Sequence, residues 1–323
     1  MPVPSGTFTE MVTTTLREHP NEISDNVSAN NALYNRLVKK DKIKKMADGG
    51  YEIVRPLDYE ENSTYQRYSG WDTLNISPSE VLSAAKYDWT QASISVAVSG
   101  RDLRMNNSKE KIIDLVKSKK RNAMRTAANN MSSDLYSTGS VTNQIGGLGH
   151  IIQANGQGTV GGINSATFAF WRNKFKELAA SDDYVANPAA LKRAMHELWL
   201  TLCRGTDKPD LVTTTHDFYS AYWESLTDLQ RYKNEDTPDT FQALKFQSAD
   251  VIFDSNDNFT TTGETMHFLN TDYLELCVHS DANWTPLSSE RPVNQDGEIV
   301  TMIWQGQLVC SNRSLQGGLY DAV

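Results

Sequence analysis

His196 and Glu197 open the zinc-protease pattern, in which two histidines one helical turn apart hold the metal and the glutamate activates water. The second histidine would fall at position 200, where Leu200 stands, so the metal reading fails. Gly156 and Gly161 have the spacing of a phosphate-binding loop, but Gly162 occupies the place of the lysine that reaches the outer phosphates. Asp254, Asn256 and Asn258 begin like a calcium loop. Phe259 then replaces the glycine of its sharp turn and Thr265 its bidentate glutamate, which leaves a polar turn. His216-Asp217 stands between a strand and a helix, where the acid is expected to cap the helix and meet its dipole rather than catalyse. Cys203, Cys277 and Cys310 are far apart and form no Cys-x-x-Cys pair, so neither a disulfide framework nor a zinc site is expected. No Gly-x-Ser-x-Gly elbow occurs. The residues point away from an enzyme and imply no cofactor and no metal.

The composition allows a large folded body. The 323 residues are 39% apolar and 22% charged, which suits one large domain or two smaller ones with real cores. A formal net charge of −9 argues against a dedicated nucleic-acid binder, because neutralising phosphates needs surplus Lys and Arg. The first residues lack the basic-then-apolar pattern of a signal peptide, and no run of about eighteen apolar residues suggests a membrane span.

The elements follow from periodicity. Thr7 and Glu10 form a capping box for a short helix whose face is Phe8, Met11, Val12, Thr15 and Leu16, stopped by Pro20. A second helix is expected over about 29–40, with Leu33, Leu37 and Val38 on one side and the basic run Lys39, Lys40, Lys42, Lys44 and Lys45 at its end. Such an arm has too little core to stand alone and must dock on the chain or on a neighbour. From Tyr51 to Gly100 the period becomes two: Ile94, Val96 and Val98 alternate with Ser95, Ala97 and Ser99. The strands enclose a polar, aromatic middle with Tyr59, Tyr65, Tyr68 and Trp71, a long β-excursion unable to fold by itself. Asn107 and Glu110 cap the longest helical pattern, in which Ile112, Leu115, Val116, Ala123, Ala127, Met131 and Leu135 track one side and Gly139 is expected to close it. At 1.5 Å per residue it would be roughly 43 Å long, with Lys117, Lys119, Lys120, Arg121 and Arg125 on the opposite face. These charge runs could contact nucleic acid or be plain solvated faces.

Between Asp134 and Arg172 no charged residue occurs, while Gly146, Gly147, Gly149, Gly156, Gly158, Gly161 and Gly162 crowd the stretch. That fits a loop buried either within the monomer or against another subunit. Beyond Pro188 come a helix to about Cys203, a strand at Leu211–Thr213, a helix past Tyr222, and strands near 249–253, 267–270, 273–279 and 299–310, a small α/β lobe followed by long strands.

Several segments carry a family resemblance in number and order: ADGGYEIVRPLDY, AKYDWTQASISVAVSGRDLRMN, KIIDLVKSKK, LYSTGS, IGGLGHII, GTVGGI, FWRNKF, VIFDSN, FLNTDYLEL and SNRSLQGGL. Together they resemble the major capsid proteins of tailed bacteriophages, which have the Hong Kong 97-type shell fold. The resemblance covers nearly the whole chain and implies an α+β capsid fold. It implies an N-terminal arm over 1–50, an extended β-loop over 51–100 reaching over a neighbour, and a peripheral domain over 101–205 with a spine helix at about 107–136. An axial domain over 206–271 and C-terminal strands of the peripheral domain over 272–323 complete it. The implied function is self-assembly as pentamers and hexamers into an icosahedral head around double-stranded DNA bound without sequence specificity. A portal, a scaffold and decoration proteins are the implied partners, in a virion assembled in the bacterial cytoplasm without a membrane.

Contacts between subunits are then expected at Phe8, Met11, Leu16, Tyr59, Tyr65, Arg67, Tyr68 and Trp71, and an inner basic face at Lys117, Lys119, Lys120, Arg121 and Arg125. Some shells of this kind are chain-linked through a lysine on the extended loop. Here Lys86 is the sole lysine between Tyr51 and Gly100 and lies near the body end, so no self-crosslink is expected. The rival readings are a nanocompartment shell of the encapsulin kind and a soluble α+β enzyme.

Overall fold

The cleanest alternation in the chain becomes strand β4 (Thr90–Ser99). The computed structural model describes residues 32–46, 50–77, 80–105, 109–178, 187–226, 244–254, 264–287 and 294–321. In it, β4 edges a four-stranded sheet with β1 (Ile43–Met46), β12 (Leu274–Pro286) and β13 (Gly297–Cys310), in the order β1-β12-β13-β4. Val96 and Val98 are buried while Ser95 and Ala97 are not, the pattern of a sheet with one covered face. The face is covered in part by the spine helix, Lys109–Leu135, whose Ala123 packs with Val96 and Met302. At 27 residues this rod is about 40 Å long. Ala123, Ala127, Met131 and Leu135 recur every four residues along its buried line.

The helix does not end at Gly139 as expected. It tightens at Tyr136 and Ser137, whose N–H groups donate to the carbonyls of Ser133 and Asp134 at 3.2 and 3.1 Å. Gly139 serves the following turn with φ of +68°. The helix expected over 29–40 spans Ala32–Lys39. Leu33 and Leu37 are buried, whereas Val38, rotated one residue further round, is 49% exposed.

A second sheet has six strands. It takes β7 (Lys174–Leu178), β14 (Gly317–Asp321), β11 (Thr265–Leu269), β8 (Leu211–Thr214), β10 (Ala249–Phe253) and β9 (Leu244–Phe246) in that spatial order. Its two faces belong to different cores. Val212, Val251, Met266, Phe268 and Leu319 lie under the helices Pro188–Leu202 and His216–Ser225. Leu211, Ile252 and Leu269, on the other face, join the main core with Leu135, Ile151 and Trp304. All four residues of β8 are therefore buried. The sheet is wider than the range 206–271: β7 and the Pro188–Leu202 helix join it from one side of that range and β14 from the other. Without β14, β11 would present an unpaired edge.

The extended loop roots in the main core through a hairpin of β2 (Glu52–Asp58) and β3 (Leu82–Asp88), whose Ile53, Leu57, Ala85 and Tyr87 are buried. The glycine-rich stretch packs within the chain, with Ile145, Leu148, Ile151, Ile152, Val160 and Trp171 in the same core.

Candidate assembly site

Among the described residues none of the would-be catalytic groups gathers into a site. His196 and Glu197 are exposed on the lobe helix, and Glu197 pairs with Lys176 at 2.9 Å and Arg193 at 3.4 Å. Gly156, Gly161 and Gly162 all have positive φ, so they make turns. Asp217 does not cap its helix: Thr215 holds that position, its hydroxyl bonded to the Glu264 carboxylate, while Asp217 sits exposed in the first turn. Its charge still meets the helix dipole there. Asp254 is no surface turn residue but is buried beside the Tyr136 hydroxyl. Burial, with that carboxylate nearby, holds Tyr136 well above the usual phenol range. Asn256 and Asn258 lie outside the described residues. Cys277 and Cys310 are buried free thiols, and burial pushes Cys310 up to about 12. Among the described residues no three His, Cys, Asp or Glu side chains are grouped to hold a metal, and no helix is long and apolar enough to cross a membrane.

The polar side chains instead build joints. On the Ala32–Lys39 segment and the residues after it, Arg36 pairs with Asp250, Lys40 with Asp210, and Lys42 with Asp272 at 3.0 Å. The basic run thus clasps the lobe, and β1 adds a parallel strand to β12. Arg55 donates to Glu275 at 2.5 Å and Tyr87 to the Cys310 carbonyl at 2.8 Å, which fixes the root of the extended loop.

Arg313 is the joint that sequence reading missed. Fully buried, it donates to the carbonyls of Ile151 (2.6 Å) and Gln157 (2.9 Å) and to Ser165 Oγ and Asn173 Oδ1, both at 2.9 Å. The charge-free glycine-rich stretch and the residues just beyond it form a cage of neutral acceptors around one guanidinium. Its one legible signal was the SNRSLQGGL segment itself, which says nothing of partners some 150 residues earlier.

Beyond the root the loop changes character. Among the described residues of 58–77 and 80–82 none is buried. Tyr65, Arg67, Tyr68 and Trp71 stand in solvent, Trp71 completely. Tyr59 differs, for its ring stacks on Phe170 of its own chain at 5.2 Å. Phe8, Met11 and Leu16 lie outside the described residues, as does the Lys117 side chain.

No family model and no curated protein matches the sequence. Solved structures do match in shape. A chain of the cyanophage A-1(L) capsid superimposes with a TM-score of 0.64 at 14% identity, over 93% of this chain and 95% of that one. The capsid of Myoviridae phage XM1 gives 0.55 at 15% identity over 93% and 95%. The capsid of an empty GTA particle gives 0.53 at 10% identity over 93% and 92%. The chain has the Hong Kong 97-type capsid fold.

Within the capsid fold the basic residues of the spine helix do not form one stripe. A helix turns about 100° per residue, so Lys119, Lys120 and Arg121 fan over roughly 200° and cannot share a face. Lys119 donates to the Ala97 carbonyl at 3.1 Å and lies 3.8 Å from Asp102. Lys120 and Arg121 are exposed, and Arg125 is half-buried.

In the six-stranded sheet of the capsid fold, His267 on β11 is 4% exposed beside Tyr320 on β14, and burial pushes its pKa down to about 3. The folded state therefore refuses a proton that the unfolded chain accepts below about 6.5. Its contribution is whole above that value and is lost as pH falls from about 6.5 toward 3, at about 1.4 kcal/mol per pH unit. Urea unfolding of His267→Gln at pH 7 and pH 5 is expected to show a smaller pH dependence than wild type; equal slopes would contradict this.

Proposed function

We propose that the chain is the major shell subunit of a tailed phage, assembling as pentamers and hexamers into an icosahedral head around double-stranded DNA. The observation that carries this is the extended loop: a rooted hairpin whose far end has no core yet presents Tyr65, Tyr68 and Trp71 to solvent. Large aromatics on a projecting element gain most when a partner covers them. Each contact can be modest, because every subunit repeats it and multivalency sums them. The proposed setting is the virion, built in the host cytoplasm with a portal and with scaffold or decoration proteins. Nuclease-protected double-stranded DNA is the expected content of particles purified from producing cells. A protein cargo without DNA would overturn the phage-head reading.

Lys120 and Arg121 are the basic residues proposed for an inner face toward DNA. Replacing both by glutamate is expected to lower the DNA content per particle; wild-type yield with a wild-type genome load would remove them from that role. The shell is held by contacts alone. Lys86 sits at the base of the loop, 3.4 Å from Glu52, its backbone N–H bonded to the Gly161 carbonyl. Boiled mature particles are expected to run at monomer mass on an SDS gel, and a high-mass ladder would contradict that.

A further inference from the structure

The tip of the extended loop is an ordered turn although none of the described residues covers it. Ser69 N–H donates to Asp72 Oδ2 at 2.8 Å, Asp72 N–H to the Ser69 carbonyl at 3.2 Å, and Gln66 Nε2 to the Thr73 carbonyl at 3.0 Å. Gly70 supplies the φ of +55° that the turn requires. These bonds hold Trp71 outward, its whole surface in solvent. An indole displayed on a pre-organised turn is an anchor, since little entropy remains to be lost when a pocket receives it.

Among the described clefts one is shaped for it. At the root of the loop, Pro56, Tyr59, Phe170 and Trp171 wall a cleft of about 350 Å³ whose rim carries Asp58, Arg204, Ser311 and Ser314. The stacked Tyr59 and Phe170 rings offer an aromatic wall. The serine hydroxyls can accept an indole N–H, and the exposed Arg204 guanidinium complements Asp72. The larger cleft lined by Trp89, Gln91, Asn143 and Trp304 has no charged side chain, and in the smaller one at Lys86 that cation already pairs with Glu52. The chain's own Trp71 is in solvent, so it does not fill its own cleft.

We infer that the Ser69–Asp72 turn of a second copy of this chain seats its Trp71 in the cleft between Phe170 and Arg204, with Asp72 against Arg204. This rests on the shell reading above and names the socket for the loop. The test is charge reversal at Arg204 in assembling protein. Arg204→Glu and Trp71→Ala are each expected to lower the yield of closed particles by at least about tenfold. Arg204→Lys, which keeps the charge and leaves the Asp72 turn intact, should stay within about threefold of wild type. The exposed positions leave the unfolding midpoint of unassembled subunits unchanged. Wild-type yields from Arg204→Glu or from Trp71→Ala, or a tenfold loss from Arg204→Lys, would overturn the inference while the shell reading stands. Wild-type protein that forms no particle would overturn both.

Discussion

Replacing Arg313 by leucine is expected to cost about 3–5 kcal/mol of subunit stability, enough to leave most of the chain insoluble. The guanidinium has no solvent exposure and no carboxylate among its hydrogen-bond partners; two carbonyls, a hydroxyl and an amide oxygen accept within 2.6–2.9 Å, and the Gly158 carbonyl accepts at 3.5 Å. Burial lowers its pKa from the ordinary value, but an arginine stays charged, so the cage must solvate the cation in place of water. Leucine fills part of the volume and leaves the carbonyls of Ile151 and Gln157 without that donor. Arg313→Lys is expected to fall nearly as far, because one ammonium cannot reach acceptors spread around a planar fork. Denaturant unfolding of any soluble fraction measures the loss; either variant within about 1 kcal/mol of wild type would refute the cage's importance.

The second large effect is expected at Gly147, in the IGGLGHII segment. A Cβ there would lie 2.5 Å from the carbonyl oxygens of both Asp134 and Leu135, the last residues of the spine helix. Those are backbone atoms, so relief requires unwinding the end of the rod, where Met131 and Leu135 enter the main core. Gly147→Val is expected to destabilise by about 3 kcal/mol or more. Gly162 makes a useful contrast. Nothing lies within 4 Å of its Cβ position, and Gly162→Ala should cost only the strain of its φ of +74°, about 1–2 kcal/mol. Thermal melts of the two variants should separate clearly, and similar melting points would contradict the close-approach reading.

The elements governed by one local period were legible in sequence. The alternation of Ile94, Val96 and Val98 reported a strand with one covered face, and the four-residue recurrence from Ala123 to Leu135 reported the spine. Features that depend on distant partners were not. The run Lys39–Lys45 has the composition of a solvated face, yet Lys40 and Lys42 meet Asp210 and Asp272, which no local pattern links to them. Leu211–Thr213 reads as a short strand, and nothing in three residues says that the two faces of β8 enter two different cores. Arg313 was hidden for the same reason. The uncharged stretch before Arg172 signalled burial, and the absence of charge gave no hint that it encloses one.

The candidate site was half visible. Tyr65, Tyr68 and Trp71 stood out as aromatics in a segment without aliphatic core, and they are exposed at the tip. Tyr59 shared that composition but stacks on its own chain's Phe170, a contact set by tertiary folding. The five basic residues of the spine were read as one face opposite the apolar line, and helical geometry separates Lys119, tied to Ala97, from exposed Lys120 and Arg121.

Negative-stain electron microscopy of the protein produced with its assembly partners tests the shell-subunit reading most directly. Closed particles of uniform diameter with five-fold and six-fold clusters are expected. A field of monomers or small oligomers under conditions where the protein is folded would contradict it.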